Sequence, residues 1–231
     1  MLDQQYLTHL QNNYWFSQLN TTYQHFILQH AQAHTYLKDQ NIFLSGDSFN
    51  GLYAVLEGAV RLGYIDIQGK EAIAAIAEPI MWFGEISLVD CQPRSHDAMA
   101  LQKTTVLHLS SSSMHQLLEL HPQFWFHIAQ LTSQKLRFAF LELISIQTQN
   151  ITQRLAQRLL FILNGYGNHI TIEQHSIHLS QEQLAQLLVC SRQTVNQELQ
   201  ELEKRGVLKV AFRKIEILDT ALLHQIAYAM P

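Results

Sequence analysis

Two stretches of this 231-residue chain hold side chains whose types and spacing suit specific chemistry. The first is WFGEISLVDCQPRS, Trp82 to Ser95. Here Gly84 is followed by an acid, Glu85, then an apolar run from Ile86 long enough for one helical turn, a bend at Pro93, and the pair Arg94-Ser95. The set suits a sugar phosphate. Glu85 can accept from a ribose hydroxyl, Arg94 can neutralise a phosphate and Ser95 can donate to it, while Gly84 lets the backbone come close. The alternative use of the same residues is a Glu85–Arg94 salt bridge that pins the loop. The second stretch is Ser180 to Val210. After Ser191, the apolar residues Val195, Leu199 and Leu202 recur every three or four positions, which leaves Arg192, Gln193, Asn196 and Gln197 on other faces of a helix. Arginine pairs bidentately with guanine, and glutamine with adenine, in the major groove of DNA.

The elements that must hold the second set are marked by their own signals. Ser180 caps a helix whose third residue, Gln183, can reach back to it, and Leu184, Leu187 and Leu188 follow at helical spacing. Ser191 caps the next helix, and Gly206 ends it after Lys204 and Arg205. Val207 to Val210 and Ile215 to Leu218 read as two strands joined by a turn with Arg213 and Lys214, a wing placed to touch phosphates. Two helices, a tight join and a wing make a winged helix-turn-helix. The run LAQLLVCSRQTVNQELQELEKRGVL resembles the helix-turn-helix of the cyclic-AMP receptor and fumarate-nitrate-reduction (Crp/Fnr) regulators, where Ser-Arg-x-Thr-Val opens the recognition helix. The resemblance marks Ser180, Gln181, Ser191, Arg192, Gln193, Thr194, Asn196, Gln197, Arg213 and Lys214 as candidate DNA-binding residues. Arg192, Gln193 and Gln197 would read bases, while Ser180, Ser191 and the wing fix phosphates. One position departs from the pattern: Val189 stands where the family usually has Gly. A β-branched residue disfavours the left-handed conformation by about 1–2 kcal/mol, so the turn is expected to be reshaped or strained.

The first set needs a different frame. A helix around Tyr23 to Gln32 leads into Ile42-Phe43, after which short strands and turns alternate. Leu52 to Leu56, Val60 to Tyr64, Ala72 to Ala77 and Thr105 to Leu109 are the strands; Gly46-Asp47, Gly58, Asp66 with Gly69, and Asp90 to Pro93 are the turns. Such short, closely spaced strands predict an antiparallel barrel or jelly roll. Val60, Leu62 and Tyr64 alternate with Ala59, Arg61 and Gly63, as in a half-buried strand. Gly51 to Val60, GLYAVLEGAV, resembles the cyclic-nucleotide-binding domain, and Gly84 to Ser95 resembles its phosphate-binding cassette, with Phe-Gly-Glu and ten positions from Gly to Arg. Carried across, Gly84, Glu85, Ile86, Arg94 and Ser95 are pocket residues, and the implied ligand is cyclic AMP or another cyclic nucleotide. The alignment puts Ala139 and Phe140 where the cyclic-AMP receptor has a Thr-Ser pair facing adenine. Neither donates a hydrogen bond, and Phe140 either stacks on a base or fills its place. His96 follows Ser95 where the receptor has Ala.

Between these frames, Pro122 to about Thr148 contains no Gly and no further Pro, with Pro122 expected in the first turn of a long helix. Leu136, Phe140, Leu143 and Gln147 share one face, and Leu131, Phe138 and Leu141 lie elsewhere, so one face can cover the roll and another can meet a second copy. The expected architecture is α+β: a cyclic-nucleotide-binding-type β-roll over 1–121, a dimerisation helix over 122–149, and a winged helix-turn-helix domain over 150–231, whose first helix runs from Thr152 to Leu163. A two-fold dimer would set two recognition helices about 34 Å apart and favour a near-palindromic operator on double-stranded DNA. By resemblance RNA polymerase is a further partner.

Composition excludes several classes. Residues 1–149 hold 7 Lys/Arg against 12 Asp/Glu and residues 150–231 hold 8 against 7, so DNA affinity must come from clustered cations and be salt-sensitive. No apolar run escapes charges or Pro long enough to span a membrane, and no signal segment precedes Tyr6, which predicts a cytoplasmic protein. The 2 cysteines, Cys91 and Cys190, form no paired motif. His169, His175 and His178 span a predicted hairpin of Ile170-Thr171-Ile172 and Ile177-His178-Leu179 without a neighbouring ligand at zinc spacing, and His25, His30 and His34 have ordinary solvated or capping roles, so no metal site is expected. No hydrolase or phosphate-loop motif appears, so no enzyme is expected. The alternatives are a family member that does not respond to cyclic nucleotide, being ligand-independent or triggered by haem or redox state, and a nucleotide-binding module whose C-terminal helices dock proteins.

Overall fold

The structure is a computed structural model describing residues 4–69, 71–79, 81–167, 175–211 and 214–229. The chain divides into two compact units at Leu136/Arg137. Among the described residues no helix is long and apolar enough to cross a membrane.

The first unit begins with three short helices, α1 (Gln4–Gln11), α2 (Tyr14–Ser17) and α3 (Thr21–His30). Asn13 and Asn20 cap α2 and α3 by accepting from Phe16 N and Tyr23 N. Eight strands follow: β1 (Gln32–Tyr36), β2 (Asn41–Phe43), β3 (Gly51–Glu57), β4 (Val60–Ile65), β5 (Glu71–Ala77), β6 (Trp82–Phe83), β7 (Asp97–Ala100) and β8 (Thr104–Ser110), with the short helix α4 (Ile86–Asp90) between β6 and β7. They form two antiparallel four-stranded sheets, ordered β1-β8-β3-β6 and β2-β7-β4-β5, so the antiparallel roll expected from the turn spacing is the one observed. Helix α5 (Ser111–Leu120) and the start of α6 (Phe124–Thr148) close the unit. Pro122 lies in the turn ahead of α6 rather than within it.

The α1–α3 segment is held by aromatic packing. Trp15 and Phe16 are buried against Trp82, with ring centroids 5.1 and 6.0 Å away, and Trp15 Nε1 donates to His127 O at 2.6 Å. Aromatic pairs at this spacing stabilise by about 0.5–1.5 kcal/mol beyond the area they bury. The expected alternation along β4 fails. Arg61 is 1% exposed and meets Glu71 at 2.8 Å, while Tyr64 is 49% exposed, because a register shift at Leu62/Gly63 breaks the period and both faces of the strand's first half are covered.

The second unit contains the rest of α6, then α7 (Ile151–Leu163), α8 (Gln181–Leu188), α9 (Arg192–Lys204) and α10 (Thr220–Ala227), with β9 (Ser176–Ile177), β10 (Leu208–Ala211) and β11 (Lys214–Ile217) in one antiparallel sheet ordered β10-β11-β9. Asn150 starts α7 with a reciprocal capping box, in which its side chain takes Gln153 N and Gln153 takes its own N–H. Arg158 ties three helices together, reaching Glu142 Oε2 on α6 at 2.6 Å and Leu187 O on α8 at 3.2 Å. Arg154 holds Leu188 O at 2.6 Å. The first strand of the expected hairpin, Ile170-Thr171-Ile172, and with it His169, lie outside the described residues.

Candidate functional site

The cassette begins where β6 ends. Gly84 has φ +99, and a Cβ there would stand 3.0 Å from Arg94 Nη1 and 3.2 Å from Gly51 O, so only glycine lets this backbone and the arginine share the space. Glu85 precedes α4, Ile86 is its first residue, and Cys91 ends it in the left-handed conformation with φ 55. The chain then bends through Pro93 and returns Arg94 and Ser95 to the Gly84 end.

Arg94 is 3% exposed and points into the roll. Its Nη1 donates to Gly84 O at 2.6 Å, and its Nη2 donates to Asn50 Oδ1 at 2.6 Å and Gly51 O at 2.7 Å. The guanidinium lies over the Phe43 ring, 4.2 Å from its centroid, with Phe49 at 5.1 Å. Burial pushes its pKa below the ordinary arginine value, opposed by Tyr53, Glu85 and Asp47. Burial likewise pushes the Tyr53 phenol up to about 12.

Glu85 does not form the salt bridge with Arg94 weighed from sequence. It is 1% exposed, and its Oε2 takes Lys135 Nζ of α6 at 2.5 Å. Its Oε1 is buried without a hydrogen-bond partner among the described residues. Ser95 is exposed, and its Oγ lies 2.9 Å from His96 Nδ1. Lys135 and Asn50 are the cassette partners that sequence reasoning missed. Lys135 stands 50 residues from Glu85, in a polar stretch of α6 beside Arg137, and nothing local to either residue marks the pair. Phe140 belongs to the second unit and is 57% exposed.

The second candidate surface is built on α8 and α9. Ser180 is the N-cap of α8 in a complete capping box with Gln183, and Ser191 caps α9, its Oγ accepting from Thr194 N at 3.0 Å and meeting Thr194 Oγ1 at 2.8 Å. Val195, Leu199 and Leu202 are buried, whereas Arg192, Gln193 and Gln197 are exposed. Gln181 Nε2 donates to Asn196 Oδ1 at 3.0 Å, which links the starts of the two helices. Glu198 Oε2 takes Thr152 Oγ1 of α7 at 2.6 Å. Val189 adopts the left-handed conformation, φ 53 and ψ 50, with its side chain 81% exposed. The turn therefore takes the left-handed conformation that suits glycine, and Val189 carries the strain. Gly206, φ +72, follows α9 at a position where glycine has no such penalty. β10 and β11 pair from Leu208↔Ile217 to Ala211↔Lys214 as the wing; Lys214 is half-buried, and Arg213 lies outside the described residues.

Residues 33–121 match the cyclic nucleotide-binding domain, and residues 153–226 match the Crp-like helix-turn-helix domain. The chain is 33% identical over 204 residues to the cyclic AMP receptor protein of Thermus thermophilus, covering 88% of this chain and 91% of that one. It is 24% identical over 184 residues to a CRP-like cAMP-activated global transcriptional regulator of Mycobacterium tuberculosis, covering 79% and 82%. In fold it is similar to FixK2 of Bradyrhizobium japonicum, with a TM-score of 0.75 at 22% identity over 87% of this chain and 99% of that one. A β-roll, a long helix and a winged helix-turn-helix, matched along nearly the whole chain, place this protein in the Crp/Fnr family of transcription regulators, with a cyclic-nucleotide-binding sensor domain and a DNA-binding helix-turn-helix domain.

Proposed function

We propose that the protein acts as a two-fold dimer that reads a near-palindromic operator and is controlled by a cyclic nucleotide, such as cyclic AMP, held by Gly84, Glu85, Ile86, Arg94 and Ser95. The reading of DNA rests on the contrast within α9. Its apolar side is buried against the unit, and its first two turns present Arg192, Gln193 and Gln197 to solvent. In the major groove these are base-reading side chains, while the N-terminal N–H groups of α8 and α9 and the Lys214 side of the wing face phosphates. Ser180 and Ser191 serve this arrangement as caps, since both hydroxyls already accept from the helix backbone. Gln181, Thr194 and Asn196 form the hydrogen-bonded edge of the same surface.

Dimerisation is supported by the apolar residues left open on α6: Leu136, Phe140, Leu143, Ile144 and Ile146 are each more than half exposed. Covering such side chains in a second copy contributes roughly 1 kcal/mol each. The nucleotide reading is supported by Glu85 Oε1, a buried acceptor without a partner among the described residues, which suits a ribose hydroxyl. When bound, the nucleotide supplies an anionic phosphate and its one free ribose hydroxyl as a donor. Arg94 meets that phosphate with Nε–H, which has no partner among the described residues, or by giving up Gly51 O or Asn50. A ligand switches such a dimer only by binding better to the DNA-competent arrangement. One observation favours a ligand-independent regulator instead: Arg94 and Glu85 already have protein partners.

In vitro selection of the full chain's preferred DNA, with and without cyclic AMP and cyclic GMP, tests the whole reading. A palindromic consensus enriched only with nucleotide is the expected result. The same consensus without nucleotide, together with no calorimetric heat at millimolar nucleotide, establishes the ligand-independent regulator. No salt-sensitive DNA binding removes the DNA-reading claim and leaves a protein-docking domain.

A further inference from the structure

His96 lies between the cassette and β7, and the proposed nucleotide reading assigns it nothing. Its Nδ1 is 2.9 Å from Ser95 Oγ, and its Nε2 is buried without a hydrogen-bond partner among the described residues. The ring packs edge-on against Phe43, with centroids 6.0 Å apart. Four charged groups face it: Lys135 from α6, Glu85 ahead of α4, Arg94 in its own loop and Asp97 in β7. Both anions are already engaged, Glu85 by Lys135 at 2.5 Å and Asp97 by Ser45 N at 2.7 Å. Burial and then Lys135 push the His96 pKa below that of an ordinary histidine, so the ring is neutral at neutral pH.

Because a buried N–H donor without an acceptor costs more than a buried lone pair, we assign the hydrogen of the neutral ring to Nδ1, from where it donates to Ser95 Oγ. That bond orients the serine hydroxyl to donate outward. Two cations, two occupied anions and a titratable nitrogen without an acceptor make a site whose protonation depends on whether a further negative charge arrives.

We propose that His96 couples anion binding in the cassette to proton uptake: when a phosphate-bearing ligand sits by Ser95, Nε2 takes one proton from solvent and His96 joins Arg94 and Lys135 as a third cation. This rests on the reading that the cassette takes such a ligand. Nδ1–H continues to donate to Ser95 Oγ, and no covalent bond changes. By linkage, affinity then falls with rising pH across the window between the free and ligand-bound His96 pKa values. A cyclic phosphodiester remains a monoanion throughout that window, so the dependence comes from the protein.

The experiment titrates the full-length protein with cyclic AMP at pH 6.0, 7.0 and 8.0, using buffers of different ionisation enthalpy to count protons. Binding should be about tenfold tighter at pH 6.0 than at pH 8.0, with net proton uptake near pH 7. His96→Gln keeps a hydrogen-bonding partner for Ser95 but does not titrate, and its affinity should be flat over the same range. A flat wild-type profile, or pH dependence that survives in His96→Gln, overturns the inference. A second measurement stands apart from the nucleotide: the His96 ring protons are titrated by NMR with and without sulfate, an anion that does not itself titrate here. A sulfate-induced rise in the His96 pKa supports the inference even if cyclic AMP fails to bind, in which case only the nucleotide reading falls. Absence of that rise overturns the inference itself.

Discussion

Arg94 and Arg192 are the same side chain placed in opposite environments. Arg94 is 3% exposed and holds three acceptors of its own roll, whereas Arg192 opens α9 on the exposed surface. The sensor unit thus builds its candidate site from groups that also hold the fold together, and the DNA-reading unit keeps its candidate contacts off the core. In the first, site and scaffold cannot be changed separately. In the second they can.

The largest test of that difference is Arg94→Ala. It strips donors from Gly84 O, Gly51 O and Asn50 Oδ1 and opens a hole beneath Phe43, at a cost of about 3–5 kcal/mol. The chain's three tryptophans, Trp15, Trp82 and Trp125, all lie in the first unit, so fluorescence-monitored urea unfolding reads that unit alone. Its midpoint should drop sharply. An unchanged midpoint would mean that the guanidinium network contributes nothing to the roll and would erase the contrast.

Arg192→Ala is the matched change in the other unit. It should weaken binding to the selected operator by about 1–3 kcal/mol, the worth of a bidentate base contact, while unfolding of the protein is unaltered. Equal loss on random DNA in a mobility-shift assay would reduce Arg192 to a phosphate contact. Loss of stability alongside affinity would show that the recognition helix, like the cassette, mixes reading with support.

The two regions also differed in how far they could be read from sequence. The helix-turn-helix was legible because its signals are local: Ser180 and Gln183, Ser191 and Thr194, and the buried Val195, Leu199 and Leu202 all act within one or two turns of one another. Strands β3, β4, β5 and β8 were legible from the turns that punctuate them. Strand β1, Gln32–Tyr36, was not, since it is largely exposed on both faces and carries no alternating apolar pattern. Helices α1 and α2 were missed for another reason. The segment is anchored through Trp15 and Phe16 of α2, which find Trp82 more than sixty residues away. The cassette residues were found by type and spacing, but their partners came from afar: Lys135 for Glu85, and Asn50 and Gly51 for Arg94. Charge pairing across tens of residues leaves no local mark, which is why Glu85–Arg94 was the natural pair to consider and Glu85–Lys135 is the one formed.

Val189→Gly tests whether the second unit's strain is as separable as its contacts. Relief of the left-handed penalty, about 1–2 kcal/mol, is offset in part by the extra freedom glycine has when unfolded, leaving a gain of about 1 kcal/mol. Slower amide exchange in α8 and α9 with unchanged operator affinity is the expected outcome. Weaker operator binding would tie the strained turn to the placement of α9.

The smallest effect concerns a half-buried carboxyl that has no ion pair among the described residues. Glu78 sits half-buried between β5 and β6, and burial alone pushes its carboxyl up from 4.5 to about 7. Glu142 in the second unit is also raised by burial, but Arg158 at 2.6 Å pulls it back. For Glu78 the folded state binds more protons than the unfolded state between about pH 4.5 and pH 7. Stability therefore falls as pH rises through that window and levels off above it. Allowing for its partial exposure, the loss is about 1 kcal/mol. Glu78→Gln removes the titration and should raise the tryptophan-monitored unfolding midpoint at pH 8 while leaving it unchanged at pH 4.5. Equal midpoints for the two proteins at pH 8 would show that solvent reaches Glu78 freely, and the sensor's buried charges would then all be ones held by partners, as Arg94 and Glu85 are.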